Sequence, residues 1–230
     1  MPYSRSNYRK SFDARVHFLI KKARRAQRLK ASDSDIRDLV FQCTVFLTGA
    51  AIETYIRLLI EAWIQKVKSN NQGAHAPSAA RAFIASKRLE NMFALYHYDG
   101  DERTLYKSLL NETTLLPLLA GDANLPPYFE GKALHDRTAY PSKKNIRKLF
   151  ARVGIDDMMG RLSKSLSRDA DVLIDSFQGI RTALAHSAPP PITINDVEQL
   201  LSDSKLIVGA IDRILHGHVM RHGGSSCWPI

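Results

Sequence analysis

The amino-acid sequence predicts an all-α, bundle-like fold, and three observations support this prediction. Apolar residues recur at intervals of three and four over long stretches of the chain, which is the period of an amphipathic helix. No segment alternates apolar and polar residues between hairpin turns, as half-buried strands do. Of the 230 residues, 44% are hydrophobic, which is enough to fill one core. We therefore expect residues 1–230 to form a single helical domain.

The first two predicted helices have long apolar stripes. The spacing of Val16 and Leu19 predicts an amphipathic helix over residues 13–30, whose other face is basic. Ser34 is expected to cap the next helix, because its hydroxyl can accept a hydrogen bond from a backbone N–H of the first turn. That helix is predicted to run over 34–68, and its length makes it the central helix of the bundle.

Residues 69–140 differ in composition from the rest of the chain. Glycine, proline and asparagine interrupt the apolar pattern there, and helical spacing is limited to segments 78–92 and 102–119. We interpret 69–140 as a helical and loop insertion. Substrate selection and a lid are the roles that we consider for it.

Two helices are predicted directly after this insertion. Ser142 caps a short basic helix over 143–153, which stops at Gly154. Another helix runs over 169–186 and ends against three consecutive prolines, which cannot continue an α-helix.

A last helix is predicted from a capping box. Thr193 is followed three residues later by Asp196, and an apolar stripe then continues for about twenty residues. Residues 219–230 contain glycine and serine and are expected to form a flexible tail. His216, His218 and His222 could suggest a metal site, but no cysteine or paired carboxylate nearby completes a tetrahedral set. We expect a frayed surface end there and no metal.

The net charge points to a polyanionic partner. The chain has 33 Lys and Arg against 23 Asp and Glu, so its formal net charge is +10. Positive surfaces attract nucleic acids through counterion release and long-range attraction. RNA is therefore an expected partner, and the candidate contacts lie in two basic helices: Lys21, Lys22, Arg24, Arg25, Lys143 and Lys144. A solvated charged face without a specific partner is the alternative.

Neither a membrane span nor a secretory signal is predicted. The longest uncharged stretch, 39–52, is shorter than the roughly 20 apolar residues that cross a bilayer. The N-terminus lacks the uninterrupted apolar segment of a secretory signal. We expect a cytoplasmic protein.

Arg181 and His186 lie five residues apart at the end of the helix predicted over 169–186. The partial negative charge of a helix C-terminus favours imidazolium, so His186 can titrate near neutral pH as a general acid or base. Arg181 stays charged and offers a rigid fork of N–H donors to a phosphate. These groups suit RNA cleavage by the substrate's own 2′-hydroxyl, which needs a base, an acid and a cation but no metal.

One histidine per chain cannot easily be both acid and base in one turnover. A two-fold dimer would bring a second His186 and a second Arg181 into the same cleft. We therefore expect a homodimer.

Glu53 is a charged residue in an otherwise apolar part of the central helix. A carboxylate there is costly unless it is paired. Arg57, one turn further along the same helix, is one candidate partner. The alternative, which we favour, is that Glu53 reaches Arg181 or His186 from a facing helix and orients it.

The segment RTALAH, from Arg181 to His186, resembles the R-x4-6-H motif of HEPN domains. Two further segments resemble the RiboL-PSP type of this family. Residues 46–56 are similar to the helix that carries a characteristic Glu, here Glu53, and residues 145–155 are similar to a short helix ahead of the motif.

The resemblance covers about residues 35–68 and 141–216, and it departs from the family pattern at two positions. Thr182 stands where the family commonly has Asn or Asp, so the hydroxyl is kept but the amide or carboxylate is lost. Ser187 stands where a Gly often follows the His.

The resemblance implies a metal-independent endoribonuclease without a cofactor, with its active site at the seam of a dimer. Arg181 and His186 would carry the reaction and Glu53 would orient them. Thr182 and Arg57 would support the site. Such toxins and antiphage effectors cut tRNA, mRNA or other structured RNA, and an antitoxin or a sensor protein would restrain the enzyme. The alternative is a non-catalytic HEPN scaffold that binds nucleotide, RNA or a partner protein.

Overall fold

The computed structural model describes residues 2–70, 76–121, 125–138, 140–185 and 191–230. These residues form helices and no strand, which confirms the predicted all-α fold class. Their α-helices, in chain order, are α1 (Asn7–Ala26), α2 (Ser34–Ser69), α3 (Ser78–Asp99), α4 (Glu102–Asn111), α5 (Leu115–Ala120), α6 (Lys143–Arg152), α7 (Met158–Leu166), α8 (Ala170–Leu184) and α9 (Ile194–His222).

Helix α2 forms the centre of the fold and packs against α1, α8 and α9. Its apolar residues occur around much of its circumference, which suits a helix enclosed by others. Phe41, Ile60 and Trp63 are at most 1% exposed. Burying one side chain of this size stabilises a fold by roughly 1.5–3 kcal/mol, so α2 supplies much of the core energy.

One helix of the described residues is long and apolar enough to cross a membrane, by length and composition alone. It is α2 with the short 3-10 turn before it, and 50% of its most apolar window is buried inside the fold. The core helix of a soluble protein has the same properties. The expected lack of a membrane span therefore stays a prediction.

Local hydrogen bonds set the starts of α1 and α2. Helix α1 begins at Asn7, well before the predicted start at residue 13, because the Ser6 hydroxyl accepts a hydrogen bond from the Arg9 backbone N–H. Helix α2 begins at Ser34, but Ser34 is its first helical residue and not its cap. Asp33 occupies the cap position and makes no capping hydrogen bond through its side chain.

The segment predicted as an insertion contains α3, α4 and α5. Helix α3 continues past the predicted end at residue 92 and stops at Gly100, whose φ of 64° lies in the left-handed region. The helix predicted over 102–119 is two helices. A continuous helix would place the Pro117 ring against the carbonyl of Thr113, so the chain breaks before α5.

Helix α7 was not predicted from the sequence. It has nine residues, too few to show a helical period, and Gly160 lies within it. The Asp157 carboxylate caps it by accepting a hydrogen bond from the Gly160 backbone N–H. Met158 and Leu162 are fully buried, and α7 packs against α8 and α9.

The caps predicted for α6 and α9 are confirmed. The Ser142 hydroxyl accepts a hydrogen bond from the Asn145 backbone N–H. Both halves of the capping box at Thr193 and Asp196 are formed, and α9 has 29 residues, which is longer than predicted.

The prediction of a flexible tail over 219–230 is wrong. Residues up to His222 belong to α9, and Trp228 is 2% exposed. The Trp228 indole N–H donates to the Ser4 carbonyl at 2.9 Å, and the Asn7 backbone N–H donates to the Pro229 carbonyl at 3.2 Å. The C-terminal segment is therefore packed against the start of α1, because the indole buries its apolar body while its N–H keeps a partner.

Two of the three histidines near the C-terminus, His216 and His218, are buried, whereas His222 is exposed in the last turn of α9. His216 packs edge-on against Tyr3 and Trp228. His218 is 3% exposed and packs edge-on against Trp63. The described residues contain no group of three His, Cys, Asp or Glu side chains placed to hold a metal.

Acidification should destabilise the fold through His218. Burial, with the nearby His222, lowers the pKa of His218 to about 4 from an ordinary 6.5. Between pH 6.5 and 4 the unfolded chain therefore binds a proton at His218 that the folded chain does not bind. The stability of the fold is not affected by this group above pH 6.5, and it decreases as the pH falls towards 4. We expect a loss of about 1–2 kcal/mol after allowing for solvent screening. Urea unfolding at a series of pH values measures it.

His218→Gln should flatten that pH dependence, whereas His97→Gln, at an exposed position on α3, should leave it as in the wild type. An unchanged slope in His218→Gln would show that another group carries the acid sensitivity. His135 is the next candidate, because burial and the charge of Arg57 also lower its pKa to about 4.

Candidate active site at the end of helix α8

Helix α8 carries Arg181 in its last turn and presents it to α2. The Asp169 carboxylate caps the start of α8 by accepting hydrogen bonds from the Asp171 and Val172 backbone N–H groups. Phe177 is 5% exposed and lies one turn before Arg181. Because residues four apart share a face of a helix, the face that anchors Phe177 also directs Arg181 towards α2.

The stem of Arg181 passes close to α2 at Gly49. A Cβ atom at position 49 would lie 3.4 Å from both the Cδ and the Nε of Arg181 and 3.6 Å from a ring carbon of Phe177. These are ordinary van der Waals distances, so a methyl group would fit at position 49 and would contact both side chains. Arg181 and Phe177 are therefore packed close to the backbone of the central helix at this point.

Tyr140 contacts the guanidinium group of Arg181. The Arg181 Cζ lies 4.6 Å from the centre of the Tyr140 ring, a cation–π arrangement. The Tyr140 hydroxyl donates to the Gln178 side-chain oxygen, and the Gln178 side-chain amide donates to the Pro141 carbonyl at 3.1 Å. The segment before α6 is thus attached to α8 at two points beside Arg181.

The Arg181 Nη1 is a buried donor without an acceptor. It is excluded from solvent and has no hydrogen-bond partner among the described residues. An unpaired buried donor costs about 1–3 kcal/mol, more when the group is charged. This end of α8 therefore holds a cation with unused hydrogen-bonding capacity.

Two of the three candidate partners of Glu53, Arg57 and Arg181, form no ion pair with it, and the third, His186, lies outside the described residues. Arg57 pairs with Glu61 instead, with Nη1 and Oε1 3.5 Å apart. Glu53 forms no ion pair with Arg181 either, although both residues are described. Glu53 is half-buried on α2, one helical turn beyond Gly49. It is therefore on the side of α2 that Arg181 approaches, but it forms no ion pair with the guanidinium.

The other motif residues have different outcomes. Thr182 is exposed at the end of α8. His186 lies outside the described residues, as do residues 187–190, so its predicted role as acid or base stays a prediction. The Ala185 backbone N–H donates to the Thr182 carbonyl, and Ala185 closes α8.

No family model, no curated protein and no solved structure matches this chain. The resemblance to HEPN domains therefore depends on the motif residues and their surroundings alone.

The basic residues predicted to contact RNA occupy two surfaces. On α1, Lys21, Lys22 and Arg25 are exposed, and Arg24 pairs with Glu198 at 2.6 Å. On α6, Lys144 is exposed.

Ion pairs on α6 connect it to α8. Lys143 pairs with Asp175 at 2.5 Å, and Arg147 pairs with Asp171 at 2.6 Å. Exposed ion pairs contribute only about 0–1 kcal/mol, so a phosphate could displace either carboxylate. Lys143 therefore stays available to RNA at the small cost of breaking its pair with Asp175.

Sequence reasoning missed Gly49, Tyr140 and Gln178 as neighbours of Arg181. Gly49 gave a signal that could have been used, because a glycine inside a long helix costs about 1 kcal/mol and often marks a close approach. Tyr140 and Gln178 gave none, since they are 38 residues apart in the chain and meet only in the folded protein.

Proposed function

We propose that this chain is a metal-independent endoribonuclease of the HEPN type. The observation that carries the proposal is the state of Arg181, a cation held between Gly49 and Tyr140 with its Nη1 buried and unpaired. A phosphate oxygen of the substrate would satisfy that donor once the groups that shield it from solvent move aside on binding. The sequence supports the same proposal, because Arg181 lies five residues before His186, as in the motif.

The proposed reaction is attack by the RNA 2′-hydroxyl on the adjacent phosphorus. A general base removes the hydroxyl proton, the 2′-oxygen forms a bond to phosphorus, and the bond to the 5′-oxygen breaks as a general acid protonates it. The products are a 2′,3′-cyclic phosphate and a free 5′-hydroxyl. Arg181 would stabilise the negative charge that builds up on the phosphate oxygens, and His186 would move the protons.

A homodimer would supply both proton-transfer groups. With one His186 on each protomer, one imidazole acts as base and the other, as imidazolium, acts as acid. Glu53 lies one helical turn from Gly49, so a second chain docked at this end of α8 could also bring a partner group to that carboxylate. We propose the dimer seam as the place of the active site.

The charge of the protein supports RNA as the substrate. The net charge of +10 and the exposed basic residues of α1 provide non-specific attraction to a phosphate backbone. We propose a cytoplasmic toxin or antiphage effector that cuts tRNA, mRNA or another structured RNA, and that an antitoxin or a sensor protein holds in check.

Incubation of the purified protein with total cellular RNA in EDTA tests the proposal. We expect discrete fragments that end in a 2′,3′-cyclic phosphate or its opened product, and no fragments with His186→Ala. Circular dichroism and size-exclusion chromatography check that the variant is folded. Intact RNA from a folded dimeric wild type would instead favour a non-catalytic scaffold that binds nucleotide, RNA or a partner protein.

A further inference from the structure

We propose that Tyr140 is a positioning residue for Arg181: its ring, anchored by Gln178, holds the guanidinium in place for the scissile phosphate. The proposal rests on the proposed ribonuclease function. Tyr140 precedes α6 and belongs to no part of the R-x4-6-H motif.

Stacking on a ring restrains an arginine without using its donors. The guanidinium plane presents its π face to the aromatic ring, while its N–H bonds point outward along its edges. A tyrosine ring 4.6 Å from Cζ therefore restrains the guanidinium of Arg181 without taking up any of its N–H donors. A carboxylate partner would instead compete with the phosphate for the same N–H groups. No such ion pair to Arg181 is present among the described residues.

The restraint acts from two sides. The stem of Arg181 passes close to α2 at Gly49, where an added Cβ would lie 3.4 Å from its Cδ and Nε, and Tyr140 contacts the guanidinium. Arginine has several rotatable bonds, so an unrestrained side chain at a helix end would sample many positions. Contacts at the stem and at the head reduce those positions before substrate arrives, which is how preorganised donors accelerate a reaction.

Gln178 fixes the ring itself. Its side-chain oxygen accepts a hydrogen bond from the Tyr140 hydroxyl, and its side-chain amide donates to the Pro141 carbonyl. Gln178 lies on α8, three residues before Arg181 and therefore near it on the helix surface. The ring and the arginine that it contacts are thus attached to the same helix.

Kinetics of Tyr140 variants test the proposal. The probe is an RNA oligonucleotide that spans a site mapped in total cellular RNA. We expect Tyr140→Ala to lower kcat about tenfold with KM changed less than about twofold, because a misplaced donor weakens mainly the transition state. Tyr140→Phe keeps the ring and should stay within about threefold of the wild type. Gln178→Ala should fall between these two variants.

A matched control is available in the Arg88 and Tyr128 pair. The Arg88 Cζ lies 5.4 Å from the centre of the Tyr128 ring, and the Tyr128 hydroxyl also has a hydrogen-bond partner, Thr114. Tyr128→Ala removes an equivalent contact elsewhere and should leave kcat unchanged. If Tyr128→Ala slows cleavage as much as Tyr140→Ala does, the loss is a general effect of weakened structure and the proposal is overturned.

A second readout does not depend on activity. In NMR spectra the Arg181 side chain should show a ring-current shift, assigned by its disappearance in Arg181→Lys. The shift should persist in Tyr140→Phe and vanish in Tyr140→Ala. If the wild type cuts RNA and Tyr140→Ala cuts it equally well, only the positioning role is overturned. A wild type that leaves RNA intact overturns the ribonuclease, and the positioning role with it, whatever the NMR shift shows.

Discussion

Replacing Arg181 with alanine should lower the rate of RNA cleavage by about 10²–10³-fold, the usual cost of removing one preorganised donor from a developing negative charge. The variant should fold, because the wild-type side chain forms no ion pair with the described residues and its Nη1 has no acceptor there. Removing an unpaired buried donor also removes its desolvation cost. Single-turnover cleavage of the mapped RNA oligonucleotide measures the rate.

Arg181→Lys distinguishes the shape of the group from its charge. A lysine keeps the charge but offers a compact ammonium, which stacks less well on Tyr140 and lacks the planar fork. We expect it to recover less than a tenth of the lost activity. Arg168→Ala removes an exposed arginine that pairs with Asp203, and it should cut RNA at the wild-type rate. A fully active Arg181→Ala would refute a catalytic role for this residue.

Replacing Asp212 with alanine should reduce the free energy of unfolding by about 3–5 kcal/mol. Asp212 lies on α9 and is fully buried. Its carboxylate accepts hydrogen bonds from the hydroxyls of Tyr3 at 2.6 Å, Ser6 at 2.5 Å and Tyr55 at 2.9 Å, and from the Ser6 backbone N–H at 3.2 Å. Alanine would leave these buried donors without their acceptor and would release the N-terminal segment from α2 and α9. Urea unfolding at neutral pH measures the change.

Asp203 provides the matched control on the same helix. Its carboxylate pairs with Arg168 at 2.8 Å at the surface, so Asp203→Ala should cost no more than about 1 kcal/mol. If the two aspartate variants lose equal stability, the buried network does not hold the termini in the way that its hydrogen bonds indicate.

The pattern of the chain was sufficient to predict the helical architecture. Local signals located α6 and α9, because Ser142 and Thr193 cap backbone groups within three residues of themselves. The period of α2 likewise needed no knowledge of its neighbours. Helix α7 was not predicted because its nine residues are too few to show a helical period of apolar residues.

The state of the candidate site was predicted only in part. The spacing of Arg181 and His186 and the end of α8 were visible in the sequence, because they depend on residues close in the chain. The surroundings of Glu53 were not, because Arg57 pairs with a second carboxylate, Glu61, and Arg181 forms no ion pair with Glu53. Which ion pair forms on a helix depends on which of several neighbouring side chains is oriented towards the charged group.

By itself the sequence determined that the fold is helical, where α6 and α9 are capped and which arginine lies at the end of α8. Only the tertiary structure decided that Tyr140 contacts Arg181, that Arg181 passes close to α2 at Gly49, and that the C-terminal segment with Trp228 is packed and not flexible. The physical reason is the distance along the chain between the residues that interact. Capping and amphipathic period arise from hydrogen bonds and side chains within a turn or two, whereas these contacts join residues far apart in the chain, and only the packing of α2, α8 and α9 brings them together.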